Sequence, residues 1–121
     1  MTIAGFYLTP EGVVLGADST ASGLTANGMH FFDFNQKIFE VGENSTIALL
    51  TWGLGAFGGT SIRSLVAQLG DSLAAAPPAN LGEVGARFAS IASPVYQADP
   101  MVLRYKALLA KPQHDPANSA S

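Results

Sequence analysis

The chain has 121 residues, enough for one domain and too few for two, since domains usually run to roughly 100–150 residues. Apolar residues make up 48% of it and charged residues only 12%, which excludes intrinsic disorder because disorder needs low hydrophobicity and high charge. The net charge of −3 carries no basic footprint for nucleic acid, and the absence of cysteine excludes disulfides, thiolate nucleophiles and cysteine-based zinc sites.

No targeting segment is visible in the sequence. The longest uncharged stretch, Asn44–Ile62, is interrupted by glycines, which favours a strand and a loop over a membrane span. Only His30 and His114 offer imidazole ligands, so a histidine-rich metal site is excluded as well. We expect a cytoplasmic protein with no cofactor, no metal, no nucleic-acid partner and no membrane partner.

Turn residues divide the first part of the chain into short strands. Apolar runs at 3–8 and 13–17 flank Thr9–Gly12, a pattern typical of a β-hairpin. A second hairpin is predicted from residues 37–41 and 46–52. Weaker signals over 19–35 indicate short irregular strands.

The apolar spacing becomes helical after a glycine-rich loop at 53–59. Thr60 or Ser61 is the candidate N-cap of the first helix, and Asn80 with Glu83 resembles a capping box that opens the second. The predicted helices cover 60–75, 81–92 and about 100–110. Leu81 belongs to the predicted apolar stripe of the second helix.

Short strands followed by helices predict an α+β fold. We expect one antiparallel sheet over residues 2–52, with the helices packed on one of its faces. Residues 1–110 are assigned to the domain. Residues 111–121 form a polar, proline-containing tail that we expect to be disordered.

Thr2 is the first candidate for chemistry. Methionine before a small residue is normally removed, and a threonine at the amino terminus has both a hydroxyl nucleophile and an α-amine as its base, with a pKa of about 7.7–8.0. Such a site needs no histidine. The alternative is that Thr2 is a terminal residue without a role.

Asp18 and Lys37 are the other candidates, and each has a structural alternative. Asp18 can simply bind backbone amides at a strand end, and Lys37 can be a solvated lysine at a sheet edge. Because a hairpin over 3–18 returns the chain, however, Asp18 is expected near Thr2, and Lys37 can approach both. A cation beside Thr2 favours the neutral amine and the alkoxide, and a free backbone N–H of Gly53 can donate to an oxyanion.

In these features the sequence resembles the first half of a proteasome-type peptidase. This family belongs to the N-terminal-nucleophile hydrolases, with the proteasome β subunits and the related bacterial ATP-dependent peptidase. The resemblance rests on Thr2, the turn at Glu11–Gly12, the motifs Val13–Ser19 and Lys37–Val41, and the glycine-rich loop before a long helix. When Asp18 is placed on the family's strand-end aspartate, Thr2 falls on its catalytic threonine without a gap.

The resemblance implies a threonine-type hydrolase that cleaves peptide or other amide bonds through an acyl-enzyme ester. Thr2 is then nucleophile and base, Asp18 and Lys37 are the supporting ion pair, and Gly53 is the oxyanion donor. The substrate-binding residues are then Thr20, Thr51 and Gly55. The resemblance also implies a homo-oligomer, with an ATP-dependent unfoldase as a further partner.

The resemblance covers roughly residues 2–95 and corresponds to half of the family's αββα sandwich. The second sheet, its helices, and the serine and aspartate that stand near the threonine in family members have no counterpart in Asp99–Ser121. Thr20 stands where many members carry arginine, which leaves the substrate preference open. We therefore expect the 121-residue chain alone to hydrolyse peptides weakly or not at all.

Two other functions fit the sequence. One is a catalytically inactive fragment or relative with a structural or assembly role. The other is a small α+β ligand-binding module that shares the hairpins by chance. A retained Met1 would block Thr2 and favour either of these.

Overall fold

The computed structural model describes residues 2–32, 35–53, 55–57 and 59–112, which form a mixed α+β fold. The strands are β1 Ala4–Thr9, β2 Gly12–Ala17, β3 Ala21–Thr25, β4 Gly28–Phe32, β5 Ile38–Glu40, β6 Ala48–Leu50, β7 Ala56–Phe57 and β8 Thr60–Ser61. The helices are α1 Ile62–Ala75, α2 Leu81–Ala98 and α3 Pro100–Leu109. Met1 and most of the predicted tail, residues 113–121, lie outside the described residues.

The strands pair as four antiparallel hairpins, each made of two strands that follow one another in the chain. The two predicted hairpins are present, and β7–β8 is an additional short hairpin in the glycine-rich region. The expectation of one sheet over 2–52 is not met in the described ranges, where β2 lies beside β5 without a ladder between them. Side chains join these two hairpins instead, since Asp18 directly after β2 binds Lys37 directly before β5.

The core lies between the β5–β6 hairpin and the helices α1 and α2. Its buried apolar side chains are Phe39, Val41, Ile62, Leu65, Val66, Leu69, Leu73 and Val84. Both helices therefore contribute to one cluster, and β5 is fixed against it. The prediction for Leu81 was wrong: as the first residue of α2 it lies beyond this cluster and is 74% exposed.

Polar side chains cap the helices where the sequence predicted it. The Ser61 hydroxyl accepts a hydrogen bond from the N–H of Ser64, and the Asn80 side chain accepts one from the N–H of Glu83. The Glu83 carboxylate accepts from Ala79 N rather than from Asn80 N, so the capping box is formed in one direction only. None of the helices in the described part of the chain is both long and apolar enough to cross a bilayer.

Helix α1 and the β5–β6 turn approach each other at two glycines. A Cβ added to Gly70 would lie 3.0 Å from the backbone nitrogen of Gly42 and 3.1 Å from its Cα. Gly42 has a φ of 87°, a left-handed conformation that favours glycine. The turn therefore packs backbone against backbone on the helix, which leaves no room for a side chain.

The substitution Gly70→Ala should lower the free energy of unfolding by about 1–3 kcal/mol, because backbone must move to admit the methyl group. Gly85→Ala in α2 is the matched control, since its Cβ would meet nothing within 4 Å. It should raise the free energy of unfolding by about 0.5–1 kcal/mol through helix propensity. Urea unfolding followed by circular dichroism measures both. If both substitutions raised the free energy of unfolding, the backbone at Gly42 would move without cost, and the close packing would not limit residue 70 to glycine.

Candidate active site

The register of the β1–β2 hairpin brings Thr2 next to Asp18. The ladder pairs Ala4 with Ala17 and continues one step further, because the Asp18 N–H donates to the carbonyl of Ile3 at 2.9 Å. The Ile3 N–H donates in turn to Asp18 Oδ1 at 3.1 Å. Asp18 is thus tied to Ile3 by both its backbone and its side chain, and Thr2 is the next residue along.

The side chain of Lys37 joins the cluster from a different hairpin. Lys37 is only 5% exposed. Its Nζ donates to Asp18 Oδ1 at 2.6 Å, to the carbonyl oxygen of Thr20 at 2.6 Å and to Thr2 Oγ1 at 3.2 Å. An ammonium has three N–H donors, and these three acceptors match them. Because an unpaired ammonium is costly to bury, the position of the amine is closely determined by its partners.

The backbone of Lys37 is fixed as well. Its carbonyl oxygen accepts from the N–H of Thr51 at 2.8 Å and from the Thr51 hydroxyl at 3.4 Å. These bonds extend the β5–β6 ladder by one pair, and β5 packs on the core through Phe39. The packing of β5 on the core therefore fixes the backbone of Lys37.

The Lys37 ammonium lowers the pKa of the Asp18 carboxyl. The hydrogen bond from the ammonium, helped by the Ile3 N–H, holds the pKa of the Asp18 carboxyl below its ordinary 3.8, although desolvation acts in the opposite direction. Because the pKa is lower in the folded state, this carboxylate stabilises the fold above the ordinary carboxyl pKa. That stabilisation is lost as the pH falls through the lowered value. At neutral pH Asp18 is a carboxylate.

A pocket of about 420 Å³ opens beside this cluster. Its lining residues are Thr2, Thr20, Ala21, Ser22, Asn35, Lys37, Trp52 and Gly53. Gly53, the predicted oxyanion donor, therefore lines the same pocket as Thr2. Its φ of 86° is a conformation that few other residues adopt.

The residues predicted to bind substrate divide between this pocket and a smaller one. Thr20 lines the larger pocket, and its carbonyl oxygen binds Lys37. Thr51 and Gly55 line a second pocket of about 230 Å³. The two pockets share four lining residues, Asn35, Lys37, Trp52 and Gly53. The structure thus brings Thr2, Thr20 and Lys37 together, whereas Thr51 and Gly55 line the smaller pocket.

Four residues that line the Thr2 pocket, Ala21, Ser22, Asn35 and Trp52, received no site role from the sequence. Trp52 is the single tryptophan of the chain and directly precedes Gly53, so the sequence could have indicated that it lies at the site. Asn35 lies in an irregular stretch without periodicity and gave none. Within the described ranges, no group of three or more His, Cys, Asp or Glu side chains could hold a metal ion.

Comparison with models of protein families gave no match, and neither the curated proteins nor the solved structures include a significant match. The function must therefore be inferred from the geometry of the Thr2–Asp18–Lys37 cluster.

The substitution Lys37→Met removes the ammonium and keeps an unbranched side chain. The pKa of Asp18 should then rise toward its ordinary 3.8, because the hydrogen bond that lowers it most is lost. Glu83 is the matched control: its pKa is lowered by the backbone N–H of Ala79 and by Arg87, and it should not change. NMR titration of the carboxyl carbons measures both groups. An Asp18 pKa that stays low while Glu83 is unaffected would contradict the assigned cause.

Proposed function

We propose that the chain is a proteasome-type N-terminal-threonine hydrolase that cleaves peptide or other amide bonds. The observation that carries this proposal is the buried ammonium of Lys37, bound at once to the Thr2 hydroxyl and the Asp18 carboxylate beside an open pocket. A buried ion pair by itself adds little stability, because desolvation offsets the attraction. A cation bound to a hydroxyl does favour the alkoxide, which is the reactive form.

The mechanism requires cleavage of the Met1–Thr2 peptide bond, which frees the α-amine of Thr2. The amine accepts the proton of Thr2 Oγ1 while this oxygen attacks the carbonyl carbon of the substrate amide. The Lys37 ammonium, 3.2 Å from Oγ1, stabilises the charge that develops there. The backbone N–H of Gly53 is the proposed donor to the carbonyl oxygen of the substrate as it becomes an oxyanion.

The second half of the reaction returns Thr2 to its starting state. When the C–N bond of the substrate breaks, the α-ammonium passes its proton to the leaving amine, and the acyl group stays on Oγ1 as an ester. Water then attacks this ester, with the α-amine again as base, and the acid product leaves. Asp18 does not touch the substrate in this scheme. It positions the Lys37 ammonium and holds the neighbouring Ile3 backbone.

Fold and partners extend the same proposal. The hairpins with α1 and α2 would form part of an αββα sandwich in the cytoplasm, and further copies of the chain and an ATP-dependent unfoldase would be its partners. Phe6 and Leu8, on one face of β1, are each 71% exposed, and Tyr7 on the other face is 70% exposed. Exposed apolar side chains of this kind are typical of a contact surface, which supports association.

A chain produced with Thr2 at its amino terminus should be acylated once by a peptide β-lactone, with the added mass on Thr2. Acylation is the most direct readout because it tests the nucleophile, its base, the Lys37 ammonium and the oxyanion donor in one step, and a single event is visible even where turnover is slow. Lys37→Met should slow labelling by about 10²-fold or more, the usual cost of losing one group that stabilises the transition-state charge. Intact-mass spectrometry with peptide mapping measures the rate and the position.

Two controls separate this chemistry from adventitious acylation. Thr2→Ala removes the hydroxyl, and a chain that retains Met1 keeps the hydroxyl but lacks the free amine. Neither should be labelled at residue 2. If the Thr2-terminated chain is also unreactive, the cluster is structural and the hydrolase is refuted.

A further inference from the structure

Trp52 is the aromatic residue among the four described residues that line both pockets. It directly precedes Gly53 in the chain and lines both the pocket that contains Thr2 and the smaller one. Whichever of the two pockets receives the side chain of a substrate, Trp52 is therefore part of the lining.

The indole of Trp52 is open to solvent. It is 70% exposed, although large aromatic rings are usually well buried in folded proteins. The apolar surface continues from Trp52 into the smaller pocket, where the buried side chains of Phe39 and Ile62 form part of the lining. An aromatic group bound there would contact the indole and the small exposed parts of Phe39 and Ile62.

The charges around both pockets disfavour a cationic substrate side chain. Among the described residues, no carboxylate lines either pocket, whereas Lys37 and Arg63 do. The Lys37 ammonium is already bound by Asp18, and the Arg63 guanidinium donates to the side-chain oxygen of Gln36. A lysine or arginine side chain of a substrate would find no carboxylate partner in the described lining of either pocket, and the Arg63 guanidinium would repel it.

We propose that Trp52 selects the substrate, by stacking its indole on an aromatic side chain on the acyl side of the cleaved bond. The selection in catalysis rests on the proposed function, whereas the aromatic-binding surface does not depend on it. A stacked aromatic pair favours such a side chain over alanine by about three- to tenfold.

Because the chain has a single tryptophan, its fluorescence reports binding directly. In the full chain carrying Thr2→Ala, which cannot be acylated at residue 2, N-acetylphenylalanine amide should shift the Trp52 emission to shorter wavelengths. The midpoint should lie about three- to tenfold below that of N-acetylalanine amide, and N-acetyllysine amide should bind no better than the alanine compound. Equal midpoints for all three probes would overturn the aromatic surface.

Selection is measured with two peptide β-lactones that differ only in a phenylalanyl or alanyl group. The Thr2-terminated chain should react about three- to tenfold faster with the phenylalanyl probe, and Trp52→Ala should abolish this ratio. Tyr105→Ala is the matched control, since it removes another exposed ring from α3, away from both pockets, and should preserve the ratio. A ratio of two rates within one variant also cancels any loss of folded protein.

The outcomes separate this proposal from the proposed function. Equal labelling by the two probes, or a ratio that survives Trp52→Ala, overturns selection by Trp52 and leaves the hydrolase standing. A glutamyl probe that reacts fastest would assign selection to Arg63 and overturn it too. If no probe labels Thr2 while the fluorescence difference persists, the hydrolase is refuted and the aromatic-binding surface stands.

Discussion

Burial of the Lys37 ammonium is the constraint on which the arrangement of the site depends. A buried ammonium needs an acceptor for each of its three N–H groups, and here they come from a hydroxyl, a carboxylate and a backbone carbonyl. Two of these acceptors lie at the open end of the β1–β2 hairpin, on Thr2 and Asp18. Lys37 itself begins the β5–β6 hairpin, which packs on the helices through the core. The same contacts therefore join two hairpins that share no ladder, and they do so at a pocket that Thr2 and Lys37 both line.

The contribution of the Thr2–Asp18–Lys37 cluster to the stability of the fold does not explain why it is there. Replacing a buried ion pair by apolar side chains is often neutral or stabilising, whereas a charged group kept at a pocket wall is typical of a functional site. The surrounding surface points the same way. The exposed indole of Trp52 and the exposed apolar residues of β1 both leave unfavourable contact with water that a bound molecule would remove. Of these exposed residues, Trp52 lines the same pocket as Thr2 and Lys37.

The sequence predicted those features that depend on neighbouring residues. The hairpins followed from turn residues between apolar runs, and the helices from apolar spacing and from caps such as Ser61 and Asn80. The hairpin over 3–18 also predicted that Asp18 would lie near Thr2, since antiparallel pairing returns the chain to its start. Features that depend on how elements meet were harder to predict. The separate hairpins, the exposed Leu81 and the binding of Lys37 to the Thr20 carbonyl all follow from tertiary placement, which periodicity does not encode.

The most direct test of the link between Lys37 and Thr2 is a crystal structure of the Thr2-terminated chain after reaction with the phenylalanyl β-lactone. We expect continuous electron density from Thr2 Oγ1 to the acyl carbon. We also expect Lys37 Nζ within hydrogen-bond distance of Asp18 Oδ1 and the Thr20 carbonyl, and the carbonyl oxygen of the ester directed at Gly53 N. An unmodified Thr2, or a Lys37 side chain turned to solvent and away from Asp18, would contradict the mechanism.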